Sequence, residues 1–363
     1  MKFLVTGGAG FIGSNLANAL ADTNESSENY GADDDIRQLS NTLTSQAADT
    51  LNYSKDKTDV HIVIVLDDLF LGSPSNLSKK VRFVNGSVMN YDLVLKLSKG
   101  CDYIFHHAAL SSSPMFINDP RRGMDVNIIG FMNVMESAKR NKVKRVIYAS
   151  SSSLYNGLPT PWKESVNLTP KTFYESSFYC REIIARNYNL EYGVDSVGLR
   201  YFSIYGPNEK HKGRFANNIS QFIWDMAEKK KSPVIYGDGS QTRDFTFVDD
   251  VVQSNILAMR KRRHYGHEDN ADNKEGSNQR TGSSIYNVGT GTQTSFNNVI
   301  DIINKQLGTD IKPTYVKNPI NNYVQHTLAD ISLARSELGY EPRWKSVEDG
   351  IKQILLLTPP VHS

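Results

Sequence analysis

Apolar positions along this chain come in short, nearly continuous runs, and most are followed by a segment of helical spacing. The runs are Lys2–Val5, Val60–Leu66, Val81–Val84, Tyr103–His106, Arg145–Ala149 and Ser196–Phe202. Strands that are apolar at successive positions suit a parallel sheet buried on both faces. The segments between them predict helices over Gly13–Ala21, Tyr91–Ser98, Arg121–Asn141 and Phe178–Tyr192. Strands alternating with helices predict an α/β fold, a doubly wound parallel sheet with right-handed crossovers.

The rhythm changes beyond Tyr201. Pro207, Gly213, Gly237 and Gly239 divide the chain into shorter pieces. A helix is expected over Phe215–Lys230, a short strand at Val234-Ile235, and helices over Phe296–Leu307, Ile331–Leu338 and Val347–Leu357. Two polar stretches interrupt the pattern. Asp22–Asp59 reads as an insertion with a short helix near Ile36–Ala48, and Arg260–Ser284 reads as a mobile loop. The expected organisation is a Rossmann-type domain over residues 1–203, with the insertion at 22–59. A smaller mixed α/β domain follows over 204–363, with the insertion at 260–284. The second domain is expected to cover the carboxyl edge of the sheet, where open α/β sheets bind ligands.

Composition narrows the function classes. The chain has 363 residues, 39% hydrophobic and 22% charged, with a formal net charge of +2, so it can bury a large core and has no electrostatic bias toward nucleic acid or a membrane surface. No apolar run is long enough to cross a bilayer. The two cysteines, Cys101 and Cys180, lack metal-site or CxxC spacing, and the first strand begins almost at once. The expected compartment is therefore the cytoplasm, and no metal site is expected.

The candidate chemistry starts at Thr6-Gly7-Gly8-Ala9-Gly10-Phe11-Ile12-Gly13, between the first strand and the first helix. A turn of this kind presents backbone N–H groups and the positive end of a helix dipole to a diphosphate. Gly7 permits the turn, Gly10 lets the backbone approach the ligand, and Gly13 lets helix and strand pack closely. The second strand ends in Asp67-Asp68. A carboxylate there accepts hydrogen bonds from an adenosine ribose and repels a 2′-phosphate, which predicts NAD rather than NADP. His106 and His107 have no partner nearby in sequence and are expected to be structural.

Further segments carry a resemblance. Leu66-Asp67-Asp68-Leu69, His106-His107-Ala108-Ala109, Val126-Asn127-Ile128-Ile129-Gly130, Ser150–Tyr155, Leu199–Pro207, Arg243–Asp250 and Tyr286–Gly291 stand in order after the glycine turn. With that turn, the chain from Phe3 to about Gly350 resembles the extended short-chain dehydrogenase/reductase family, in its nucleotide-sugar epimerase/dehydratase branch. The resemblance implies an NAD-dependent epimerase acting on a nucleotide sugar, with UDP-hexose 4-epimerisation as the leading reaction. It implies that Gly7, Gly10, Phe11, Ile12, Asp67, Ser87 and Val88 line the outer part of NAD, with Gly13 and Asp68 beside them. Ala108, Ala109 and Asn127 would flank the inner part. Ser151 would hydrogen-bond the reacting hydroxyl and Tyr174 would be the base. Ser112 and Ser203 would face the sugar, and Arg243 would grip the diphosphate. A homodimer is implied, paired through the helices near Met124–Arg140 and Phe178–Tyr192.

The sequence also departs from that family. Its members lower the tyrosine pKa, about 10 when free, with a lysine four residues later. Here that position is Phe178. Losing a charge-assisted hydrogen bond costs about 1.5–3 kcal/mol, a slowing of about 10–100-fold. Lys171 and Arg181 are the nearest cations, neither in the lysine's helical phase. Ile320 stands where many relatives place a second diphosphate arginine, and Ser203 where many place asparagine. Ser152-Ser153 lacks the acids that dehydratases and decarboxylases use there. The alternatives are a non-catalytic or weakly active NAD-binding scaffold, and a dehydrogenase or reductase of a nucleotide-linked sugar.

Overall fold

A computed structural model of the chain describes residues 1–22, 61–261, 283–318 and 323–357. The bodies of both polar insertions, the helix expected near 36–48, and Ile320 lie outside the described residues.

The principal sheet has seven parallel strands: β1 (Lys2–Thr6), β2 (Ile62–Asp67), β3 (Arg82–Asn85), β4 (Tyr103–His106), β5 (Arg145–Ser151), β6 (Ser196–Tyr201) and β7 (Ser283–Val288). Their order across the sheet is β7-β6-β5-β4-β1-β2-β3. The chain winds outward from β1 in both directions, so β1 and β4 flank a topological switch point, where such sheets place a ligand crevice. The expected doubly wound α/β architecture is therefore the one observed.

Alternating strand residues feed two cores. Phe3, Val5, Val63, Val65, Phe105 and Ile147 face one layer of helices. Leu4, Ile64, Leu66, Ile104, Val146 and Tyr148 face the other. Burial on both faces explains why these strands read as continuous apolar runs. On the first side lie α1 (Phe11–Asp22) and α5 (Val248–Arg260). On the second lie α2 (Tyr91–Ser98), α3 (Gly130–Asn141) and α4 (Phe173–Tyr192). A third cluster, with Phe222, Phe245, Phe247, Phe296 and Ile351, forms the core of the later part of the chain and includes Phe11 from the start of α1. Among the described residues three two-stranded sheets serve it: Ile204–Tyr205 pairs in parallel with Thr246–Phe247, Val234–Tyr236 in parallel with Thr314–Val316, and Thr242–Arg243 antiparallel with Thr294–Ser295.

Three boundaries differ from expectation. Helix α4 starts at Phe173, not Phe178. Thr172 caps it, its hydroxyl accepting from Glu175 N at 3.2 Å, and the Glu175 carboxylate returns to Lys171 N at 2.6 Å. This Thr-x-x-Glu start is legible in the sequence as a capping-box pattern. The helix expected over Phe215–Lys230 is a turn at Lys210–Phe215, an α-helix at Asn218–Ile223 and a π-helical turn at Trp224–Glu228. The helix expected over Arg121–Asn141 is continuous from Pro120, but widens into a π-helical turn at Asp125–Ile129 that contains Asn127.

Candidate active site

A cleft of about 550 Å³ runs along the carboxyl ends of β1, β2, β4, β5 and β6 and reaches the later part of the chain. Most of the expected site residues line it, and they fall into two ends.

The first end is the β1–α1 turn. Gly7 has φ +67°, and a Cβ there would sit 2.5 Å from Ala108 N, so side-chain-bearing residues are barred twice over. A Cβ on Gly13 would sit 2.2 Å from the Gly7 carbonyl oxygen. A Cβ on Gly10 meets only that same oxygen, at 3.2 Å, and otherwise open space. The first helical bond runs from Ser14 N to Gly10 O at 3.0 Å. The N–H groups of Phe11, Ile12 and Gly13 stand ahead of it, at the positive end of the helix. Asp67 is buried, and its carboxylate accepts from Ala9 N at 3.0 Å and Leu69 N at 2.8 Å. Burial pushes this carboxyl up, and those amides pull it back down. Asp67 thus ties the glycine turn to the end of β2 while its remaining lone pairs face the cleft. Asp68 is exposed at the rim and caps Phe70 N at 3.1 Å. Ser87 and Val88 form the adjoining wall with Ala108 and Ala109. Small backbone-lined walls, helix N–H groups and an acid at the end of β2 together fit a dinucleotide. These residues would hold it with its diphosphate over the turn.

Asn127 and Ser112 lie elsewhere. Asn127 is fully buried behind the wall, where its side chain donates to Leu110 O and Ser177 Oγ and accepts from Leu110 N. It clamps the loop after β4 rather than lining the cleft. Ser112 stands at the boundary before a short helix, Ser113–Asn118, with its side chain making no capping bond, and its neighbours Ser111 and Ser113 take the cleft-lining positions.

The second end holds Tyr174 and Ser151. The early start of α4 brings Tyr174 into its first turn, over the end of β5. Its hydroxyl lies 3.3 Å from Ser151 Oγ and 3.2 Å from Ser111 O. Ser151 Oγ also meets Ser153 Oγ at 2.8 Å. Burial pushes the Tyr174 phenol up, the Ser151 bond and the Arg181 charge pull it down, and Glu175 pushes it up again. Phe178 is buried with its ring edge-on to Tyr174, centroids 5.0 Å apart.

Behind this end lies a buried network. Glu182 accepts from Ser150 Oγ and from two nitrogens of Arg200, all within 2.7–2.8 Å. Arg200 continues to Tyr155 at 2.6 Å, and Tyr155 to Asn287 at 2.7 Å. The network pins the end of β5, and with it Ser151, against α4 and β7. His106 ends β4, and His107 follows it and lines the cleft. His106 meets Thr6 Oγ1 at 2.8 Å in full burial, which holds its pKa well below the usual value. His107 stacks on Tyr201 and is pushed down to about 3 by burial.

Toward the later part of the chain, Arg243 lies between the rings of Tyr323 (5.1 Å) and Phe296 (5.4 Å) and donates to Thr242 O and Gln325 O. Ser203 lines the cleft with φ +41°. Sequence reasoning did not single out Lys212 or His211 in this wall. Lys212 lies over the Phe11 ring at 5.2 Å and pairs with buried Glu209 at 2.8 Å. No periodicity announces them, because they lie in an irregular turn brought to α1 only by tertiary packing.

The sequence profile of the NAD dependent epimerase/dehydratase family matches residues 3–289. A UDP-glucuronate 4-epimerase from Thermodesulfobacterium geofontis is 30% identical over 76% of this chain and 79% of its own length. Among solved structures, a UDP-N-acetylglucosamine 4-epimerase from Methanobrevibacter ruminantium, in complex with UDP-N-acetylmuramic acid, superposes with a TM-score of 0.78. It is 28% identical and covers 98% of this chain and 99% of its own. A UDP-glucose 4-epimerase from Thermotoga maritima, with UDP-glucose, gives a TM-score of 0.76 at 27% identity over 97% of both chains.

Proposed function

The chain belongs to the NAD dependent epimerase/dehydratase family, and from that premise we propose that it catalyses UDP-hexose 4-epimerisation by transient oxidation of the sugar. The observation that carries this reading is Tyr174 Oη, 3.3 Å from Ser151 Oγ, in one continuous cleft with the glycine turn and Arg243.

NAD, which Gly7, Gly10, Asp67, Ala108 and Ala109 would hold, would supply the acceptor for the sugar carbon's hydride and its later donor. The residues of the chain handle the rest. Ser151 positions the sugar hydroxyl by a hydrogen bond, and Tyr174 in its ionised form takes that hydroxyl's proton as hydride leaves the same carbon. The resulting ketone turns over. Tyr174 then gives the proton back as hydride adds to the opposite face, so atoms and charge balance over the cycle. Arg243, held planar between two aromatic rings, is placed to pair with a diphosphate oxygen. Ser152 and Ser153 carry no acid to drive an elimination, which favours epimerisation over dehydration.

Incubation with UDP-glucose, UDP-galactose, their N-acetyl forms and UDP-glucuronate tests the reading. Chromatographic interconversion of one pair, lost by at least a hundredfold in Tyr174→Phe, is the expected result. No interconversion of any of them at high enzyme concentration refutes it. Stable release of NADH during turnover would instead point to a dehydrogenase.

The same reading carries a domain boundary near residue 203, a reducing cytoplasmic setting for the unpaired Cys101 and Cys180, and a homodimer. Ile129, Met132, Ile183 and Leu190 are exposed on and beside the two helices α3 and α4, the faces a partner copy would cover. Light scattering that returns the monomer mass at micromolar concentration rejects the dimer.

A further inference from the structure

Among the described residues, Arg145, Arg181 and Arg200 are buried. Arg145 pairs with Asp195 at 2.7 Å, and Arg200 pairs with Glu182 at 2.7 Å. Arg181 is fully buried and, among the described residues, has no carboxylate partner. Its Nε donates to Asn127 O at 2.7 Å and its Nη2 to Ala108 O at 2.9 Å. A buried cation without an anion is costly to fold, and carbonyl dipoles offset only part of that cost.

What surrounds this charge is informative. The guanidinium lies over the Phe178 ring, 4.9 Å from its centroid. The edge of that ring system meets Tyr174, so Arg181, Phe178 and Tyr174 form one stack on α4. Other titratable groups also face the stack. Glu175 accepts from Lys171 N and Asn156, both neutral donors, and its charge acts on Tyr174 against that of Arg181. Glu182 is committed to Arg200. From β4, His106 and His107 are held neutral by burial. From β5, the Tyr148 phenol is buried and held well above its ordinary value. From the other cleft wall, Arg122 lies over the Phe70 ring. The phenols of Tyr174 and Tyr148 are the ionisable groups that share a field with the Arg181 charge, and of the two only Tyr174 lines the cleft.

We propose that Arg181 is a positioning residue for Tyr174, supplying from behind Phe178 the positive charge that a lysine supplies at that position in the family. It rests on the reading of Tyr174 as the base. The two ring contacts put the guanidinium no more than about 10 Å from the Tyr174 ring. A unit charge at that range, in a medium of effective dielectric near 20, changes an acid constant roughly tenfold. Phe178 thus fills the lysine's space while the charge comes from the next turn of the same helix.

The test follows the phenol directly. Full-length protein loaded with NAD is labelled with [13Cζ]tyrosine, and the Tyr174 resonance is assigned with Tyr174→Phe. Arg181→Gln keeps an amide donor for the two carbonyls but removes the charge. It should raise the Tyr174 midpoint by about one pH unit, lower kcat/KM at pH 7 about tenfold, and shift the acid limb of the pH–rate profile upward equally. Phe178→Lys added to Arg181→Gln should bring the midpoint back. An unmoved midpoint in folded Arg181→Gln overturns the proposal and leaves Arg181 as a structural tie. Should Arg181→Gln fail to fold, Arg181→Lys decides, because a buried lysine loses its charge as pH rises. The Tyr174 midpoint must then rise above wild type; an identical midpoint overturns the proposal. The titration needs no turnover, so a protein inactive on every UDP-sugar refutes the epimerase reading while leaving this measurement decisive for Arg181.

Discussion

Gly13→Ala should uncouple the glycine turn from its ligand. The new Cβ would stand 2.2 Å from Gly7 O and 2.8 Å from Gly8 Cα. Both are backbone atoms, so no flexible side chain can yield. To restore a separation of about 3.5 Å, the first turn of α1 must retreat from the end of β1 by roughly 1 Å. That turn carries the N–H groups of Phe11 and Ile12. Moving it by that distance stretches hydrogen bonds of normal length past their useful range. Each charge-assisted bond to a diphosphate is worth about 1.5–3 kcal/mol, so losing two costs about 3–6 kcal/mol, or roughly 10²–10⁴ in NAD affinity. The same overpacking costs the apo fold about 1–3 kcal/mol. Calorimetric titration of apo protein with NAD, beside thermal denaturation, reads both effects. Gly10→Ala is the internal comparison. Its methyl meets only Gly7 O at 3.2 Å, so the apo thermal midpoint should stay near wild type while NAD binding weakens. Wild-type NAD affinity in Gly13→Ala would refute the reasoning, since it would mean that the close contact of α1 with β1 does not shape the cradle.

Other expectations come from buried acids and one strained serine. Glu182→Gln leaves Arg200 buried without its anion and should lower stability by about 3–5 kcal/mol, read from denaturant midpoints; a loss under about 1 kcal/mol contradicts the network. Asp249 and Asp250 are pushed up to about 7 and about 6, chiefly by burial. The folded chain therefore holds more protons than the unfolded one between about pH 4 and pH 7, and stability falls as pH rises through that window. Asp249→Asn removes its part of that loss, so it should stabilise the protein more at pH 8 than at pH 5, by about 1–3 kcal/mol; an equal effect at both pH values rejects the assignment. Ser203, at φ +41°, occupies a backbone region that asparagine tolerates better. Ser203→Asn should raise the thermal midpoint, by roughly 0.5–1 kcal/mol of stability, and an unchanged or lower midpoint counts against backbone strain there.

Much of this protein was legible in the sequence because its signals are local. Continuous apolar runs mark strands buried on two faces, and their alternation with helices dictates a doubly wound sheet. Gly7 and Gly13 of the first turn mark places where a Cβ would strike backbone, and Asp67 ends the next strand. Such features depend on period, turn geometry and chain order. What only the tertiary structure decided depends on groups distant in sequence. Asn127 reads as a cleft residue, but packing turns it toward Leu110 and Ser177, behind the wall. Lys212 reaches Phe11 from an irregular turn. Arg181 sits seven residues after Tyr174, on the same helix face but two turns along the axis, too far to lie directly beside the phenol. It reaches that phenol's surroundings only because Phe178 fills the intervening space and the carbonyls of Ala108 and Asn127 hold the guanidinium there. Helical periodicity states which side chains share a face. Where a long side chain ends, and which charge it leaves unanswered, is settled by the walls that close around it.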